Sequence, residues 1–128
     1  MTRSSSKGLG FLAENIAARR LLGGGYEVIE RNYRRPWGEV DIIAKDDGVI
    51  VFVEVKANRQ RFAGDFEPET RVDQWKLAKI IRTAELYLGD KFETGDVEWR
   101  IDIVSVTFDE LTKKAKIKHF KNIASNPY

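Results

Sequence analysis

Asp41, Glu54 and Lys56 lie in the most apolar stretch of this chain, at a spacing that allows their relative positions to be worked out. The runs Val40–Ala44 and Val49–Lys56 flank Asp46-Asp47-Gly48, and Asp-Gly is the turn chemistry of a two-residue β-hairpin. With Asp47 and Gly48 as the loop, Asp46 pairs with Val49. Counting outward then sets Asp41 opposite Glu54 and Glu39 opposite Lys56. Strand alternation sends Glu39, Asp41, Ile43, Phe52, Glu54 and Lys56 to one face. Two like charges ~4 Å apart at an effective dielectric of ~20 repel by roughly 4 kcal/mol. A shared proton, a neighbouring cation such as Lys56 or a bound divalent metal would offset that, and a hard cation suits paired carboxylates best. The plainer alternative is an ion cluster at a sheet edge, neutralised by Lys56 and nearby arginines.

Such a trio is equipped for phosphodiester hydrolysis, which needs a metal to polarise the phosphoryl oxygens, a delivered water, and a cation against the developing charge. Asp41 and Glu54 would be ligands and the backbone carbonyl of Val55 a third, with magnesium keeping several waters. Lys56 would contact the attacking water and the scissile phosphate. Glu39 would stand behind the pair as a supporting carboxylate.

The elements that must position this trio follow from periodicity. Leu9, Leu12, Ala13, Ile16, Ala17 and Leu21 recur at helical spacing and Gly23-Gly24-Gly25 ends the run. Tyr26–Tyr33 reads as a strand before the hairpin, and residues 58–70 as a surface loop without periodicity. A second helix from about Arg71 to Leu88 is signalled by Val72, Trp75, Ile80, Ala84 and Leu88, with Gly89 as its stop. Trp99–Val106 and Lys116–Lys121 are further strands, the last an edge strand guarded by lysine. The order αβββαββ predicts an α/β fold, a mixed β-sheet flanked by helices.

At 128 residues the chain is one domain, 1–128, with polar residues 1–7 expected as a flexible tail. A net charge of +2 carries no argument for nucleic acid by itself. Cysteine is absent, which excludes disulfides, thiolate catalysis and cysteine-ligated metals, and a lone histidine, His119, excludes multi-histidine sites. His119 is expected in a surface role on the last strand. No apolar run approaches the ~20 residues of a membrane span, so a cytoplasmic protein without membrane partners is expected.

Asp41 followed by Glu54-Val55-Lys56 resembles the PD-(D/E)XK nuclease signature. Ala13-Glu14 and Ala17, Gly25-Tyr26, Arg31-Asn32-Tyr33, Gly38–Ala44, Val51–Lys56, Lys76, Ala84, Tyr87-Leu88 and Arg100-Asp102-Val104 widen the match. Together they resemble the bacterial YraN-like family of predicted endonucleases, related in fold to archaeal Holliday-junction resolvases. The resemblance implies a restriction-endonuclease-like core, Mg2+ or Mn2+ as cofactor, and DNA, branched DNA among it, as substrate. It gives Asp41, Glu54 and Lys56 the metal and catalytic roles, makes Glu14 the helix-one acid that approaches the metal through water, and brings Lys76 near the phosphate. Resolvase-like relatives work as dimers, so a homodimer is the candidate assembly.

Ala57-Asn58-Arg59 departs from the Thr-Arg that usually follows the lysine in this family, and displaces the arginine by one residue. On a strand that turns it to the opposite face. Arg31, Arg34 and Arg35 before the hairpin, and Arg59 and Arg61 after it, leave from one end of the strands and are candidate phosphate contacts on either side of a groove. Two further readings stand beside the nuclease. One is a non-catalytic nucleic-acid-binding module of the same fold. The other is a structural or interaction protein with an ion cluster at Asp41, Glu54 and Lys56.

Overall fold

The computed structural model describes residues 3–60, 73–93 and 95–125, with the side chains of 3–7 left aside. The elements are α1 (Arg3–Gly23), β1 (Glu27–Arg35), β2 (Gly38–Asp46), β3 (Val49–Gln60), α2 (Gln74–Lys91), β4 (Trp99–Asp109) and β5 (Lys114–Ser125). The expected αβββαββ order is therefore found. A five-stranded sheet runs β1-β2-β3-β4-β5. All neighbours are antiparallel except β3 and β4, which α2 joins as a parallel crossover.

The Asp47-Gly48 turn forms as expected, with φ of 49° and 87°, the two positive values a type I′ turn requires. Its register, Asp46 with Val49 through Ile42 with Val53, is the one counted from the sequence.

The helices cover opposite faces of the sheet. Ala13, Ala17 and Leu21 of α1 pack on Ile42, Ala44, Val51, Val53, Val104 and Val106. Ile80, Ala84 and Tyr87 of α2 pack on Ile43, Phe52 and Ile101. Two alanines facing the strands let α1 approach closely, and aromatic edges fill the other side, Tyr87 lying 5.2 Å from Tyr33 and 5.8 Å from Phe52 between ring centroids.

Several boundaries differ from expectation. Helix α1 already begins at Arg3, inside the segment expected as a tail. Helix α2 runs through Gly89 to Lys91, and the Phe92 N–H donates to the Leu88 carbonyl to close it. Residues 58–60 continue β3 in place of opening a loop, because β4 pairs with that strand as far as Gln60 with Asp109. Residues 61–70 of the expected loop lie outside the described residues. Leu12 and Trp75, both counted in apolar stripes, are 47% and 72% exposed.

His119 is not a surface residue. Its Nε2 lies 2.7 Å from Oδ2 of the fully buried Asp102, which also accepts from Arg100 Nε at 3.0 Å and from the Asn122 N–H at 2.9 Å. Arg100 reaches on to the Tyr26 hydroxyl and Asp46. Asp102 thereby ties the first helix's C-terminal side, the β2 turn and a break in the β4–β5 register into one polar cluster. Burial alone would raise its pKa. The hydrogen bonds from His119, Arg100 and Asn122 outweigh that and hold it below the ordinary carboxylate range.

Candidate functional site

The β2–β3 ladder does not continue to the acids. It stops at Ile42 with Val53, so Asp41 is not cross-strand paired with Glu54, nor Glu39 with Lys56. In a two-residue hairpin of this register Val40 and Val55 would exchange the next ladder bonds. The Val55 N–H donates instead to Asp41 Oδ2 at 2.8 Å. The side chain has taken the bond of a backbone carbonyl, the competition with secondary structure for which aspartate is suited.

Beyond that point the strands part. Gly38, Glu39 and Val40 stay paired with Arg35, Arg34 and Tyr33 of β1, while Glu54 through Gln60 pair with β4. The fork opens into a cleft of about 480 Å³ whose lining includes Asp41, Glu54, Val55, Lys76, Trp37 and Trp75.

Asp41 and Glu54 nevertheless meet in the fork, with their carboxyl groups close enough to share a hydrogen bond. Burial is the main reason the Asp41 carboxyl is pushed up from 3.8 to about 8, followed by the charge of Glu54. The Val55 N–H pulls the other way, and the charge of Glu14 and the Glu54 hydrogen bond add to the rise. The pair thus holds a proton at neutral pH, one of the three offsets that like charges demand.

A cation supplies another. Lys76 stands in the first turn of α2, positioned by Asp73, whose side chain caps the helix by accepting from the Lys76 N–H at 2.8 Å. Its Nζ lies 2.5 Å from Glu54 Oε2, the lysine side chain 51% exposed and the glutamate only 9%. The hydrogen bond to Glu54 raises the Lys76 pKa, against the effect of burial, so the ammonium is fixed at the mouth of the cleft.

The remaining candidates are not gathered equally. Lys56 lies on β3 beside Ser105, half-buried, and does not line the cleft. Glu14 is within electrostatic reach of Asp41 but is engaged by Arg31 at 3.5 Å. Glu39 lines the cleft, yet its partner is Arg34 at 3.3 Å on the outer side of β1. Arg35 turns to the Tyr33 hydroxyl and to Asp90. Arg59 faces Glu110 at 3.8 Å, away from the acids, as the one-residue displacement requires. Arg61 lies outside the described residues. The arginines therefore do not form two walls of one groove among the described residues. Nor do three His, Cys, Asp or Glu side chains there converge on one point.

Two contributors escaped the sequence reading. Lys79 lines the cleft and places its Nζ 3.3 Å from the centre of the Trp75 ring. Thr83 accepts from the Trp37 indole N–H at 3.1 Å and so fixes that ring at the rim. The signal for the first was present in the four-residue spacing of Trp75 and Lys79, which puts them side by side on a helix. At Gly38 helix α2 comes close to β2, and a Cβ there would meet Lys79 Cβ at 3.5 Å.

An α/β domain that opens a carboxylate pair at a fork between strands is the class this geometry defines. The chain belongs to the uncharacterised protein family UPF0102, which matches residues 13–106, as its YraN-like motifs led us to expect. A UPF0102 protein of Campylobacter fetus subsp. fetus is 38% identical over 115 residues, covering 90% of this chain and 92% of the relative. One from Clostridium botulinum is 38% identical over 117 residues, 91% and 94% of the two chains. Another from Fervidobacterium nodosum is 36% identical, covering 88% and 78%. Among the described residues no helix is long and apolar enough to cross a membrane.

Proposed function

We propose that this chain is a metal-dependent endonuclease that hydrolyses phosphodiester bonds in DNA, branched DNA among its substrates. The observation that carries the reading is the carboxylate pair itself. Asp41 and Glu54 are brought together in an open cleft at a cost that burial makes larger, and the Val55 N–H engages only one oxygen of Asp41. The donor set fits a hard divalent cation. Asp41 retains a proton because it is withdrawn from water and faces Glu54, and a metal would displace it. Magnesium is content with one or two carboxylates and several waters, so a pair of acids is enough to hold it.

Asp41, Glu54 and the carbonyl of Val55 would hold the ion. Bound there, Mg2+ or Mn2+ would polarise the phosphoryl group and acidify a water. The Val55 N–H fixes the Asp41 carboxylate, which limits the reorganisation needed on binding. Lys76 neutralises Glu54 and, being half exposed, can reach a phosphate in the mouth of the cleft. Lys56, on the Glu54 face of β3, would orient the attacking water, and Glu14 would supply negative charge from the other helix. The homodimer suggested by resolvase-like relatives would serve two-strand cleavage.

The test is incubation of purified protein with linear, nicked and four-way-junction DNA, with magnesium or with chelator. Metal-dependent cleavage lost in Asp41→Ala, Glu54→Ala and Lys56→Ala is the expected result. Cleavage that survives those changes removes the assignment. Metal binding and DNA binding without cleavage would favour the non-catalytic module, a reading supported by the turn of Arg59 toward Glu110.

A further inference from the structure

We infer that the mouth of the cleft is a stacking subsite for unpaired nucleobases, with Trp75 as its platform, so that the substrate presents single-stranded DNA beside the scissile phosphate. The inference rests on the nuclease reading of the same cleft and names the substrate class that reading leaves open.

Trp75 is 72% exposed, although α2 has an apolar face into which Ile80, Ala84 and Tyr87 are packed. As the second residue of α2 it contributes little to the core. Both Trp75 and Trp37 line the cleft that holds Asp41 and Glu54. Each indole carries a cation, Lys79 Nζ at 3.3 Å from the Trp75 ring and the Arg82 guanidinium at 4.0 Å from the Trp37 ring. The Trp37 N–H donates to the Thr83 hydroxyl, which anchors that ring to α2.

Lys76, Lys79 and Arg82 recur every three residues along α2 and so form one stripe beside the two rings. A row of cations with interleaved aromatics is the surface that single strands require, because the cations follow the phosphates while the exposed bases stack. In a continuous duplex the base faces are already stacked on one another and cannot reach a tryptophan. Flaps, tails and open junction arms offer them.

The experiment measures binding of fluorescein-labelled oligothymidylate and of a blunt hairpin duplex by anisotropy in EDTA, where no cleavage intervenes. Oligothymidylate is expected to bind more tightly and to quench tryptophan emission. Trp75→Ala is expected to weaken single-strand binding at least about fivefold, the loss of one stacked base, with duplex binding changed less than about twofold. Trp75→Phe, which keeps a π-face, is expected to recover most of it. Equal losses on both substrates, or no loss on either, would overturn the subsite, and tighter binding of oligouridylate would overturn the choice of DNA. Cleavage assays separate the two proposals. Stacking without cleavage defeats only the nuclease reading, whereas cleavage with no response to Trp75→Ala defeats only the subsite.

Discussion

Replacing Asp41 by asparagine is expected to stabilise the protein, in a way that depends on pH. In the native state the Asp41 carboxyl keeps its proton up to about pH 8, because it is buried and faces Glu54. In the unfolded chain it gives that proton up near 3.8. Between those values the native state binds one more proton than the unfolded state, so stability falls as pH rises, by about 1.4 kcal/mol per pH unit from this group. The Asp41→Asn side chain keeps an oxygen for the Val55 N–H and an N–H for Glu54, the two bonds a protonated aspartate makes, but releases nothing. The variant should match the natural protein near pH 4 and pull ahead as pH rises, levelling off above about 8. Full expression of the effect would be about 6 kcal/mol, and water in the open cleft reduces the expected gain to about 2–3 kcal/mol at about pH 8.5. Urea denaturation of both proteins in EDTA across this range measures the difference directly. A difference that stays flat from pH 5 to about 8.5 would mean that Asp41 ionises like a surface carboxyl, and the shared-proton description of the pair would be wrong.

Because a metal must displace the Asp41 proton, the apparent affinity for Mn2+ should rise with pH by up to about tenfold per unit below about pH 8, with protons released on binding, and should vanish in Asp41→Ala; calorimetry in buffers of different ionisation enthalpy tests both. Lys76→Met removes the cation that occupies Glu54 Oε2, so Mn2+ should bind severalfold more tightly while the salt dependence of DNA binding falls by about one charge, read from titrations at several salt concentrations. Asp102→Ala leaves the largely buried Arg100 and His119 side chains without their shared carboxylate and should cost about 3 kcal/mol by urea denaturation. The native Asp102 pKa is depressed, so this contribution is complete above the unfolded carboxylate value and is lost as pH falls through the native one. Arg59→Ala should change DNA affinity less than about twofold, because its guanidinium is turned to Glu110; a larger loss by anisotropy would return it to the phosphate contacts.

Much of the scaffold was legible because local chemistry and the global fold agree. Asp47-Gly48 can hardly do anything but close a tight hairpin, and that turn fixed the register as far as Ile42 with Val53. Ala13, Ala17 and Leu21 repeat at helical spacing and are the residues α1 buries. The same periodicity misjudged Leu12 and Trp75, since a stripe's border is set by what the helix packs against and spacing carries no record of that. His119 was read as a surface residue because its own strand is rich in lysine. Its partner Asp102 lies on the preceding strand, and only the β4–β5 pairing brings the two together. Asp41, Glu54 and Lys76, named from the sequence, line one cleft, while the expected arginine groove does not form among the described residues: Arg31, Arg34, Arg35 and Arg59 each find an acid or carbonyl within the fold.

The end of the hairpin ladder is the part that no pattern of apolar residues marks, and it makes the site. Had β2 and β3 stayed paired past Ile42, Val40 and Val55 would have satisfied each other and the acids would have faced α2 across a closed sheet. An aspartate at that step has a short side chain able to accept the Val55 N–H, so opening the strands leaves that amide bonded. Each parted half keeps a partner, β2 on β1 and β3 on β4, so the fork forfeits little ladder energy. Asp41 thereby acts twice: one oxygen holds the strands apart, and the same carboxyl meets Glu54 in the space so made. That double use explains why an acid pair costly to bury can persist in a stable sheet, and why the first turn of α2, with Lys76, fits into the opening.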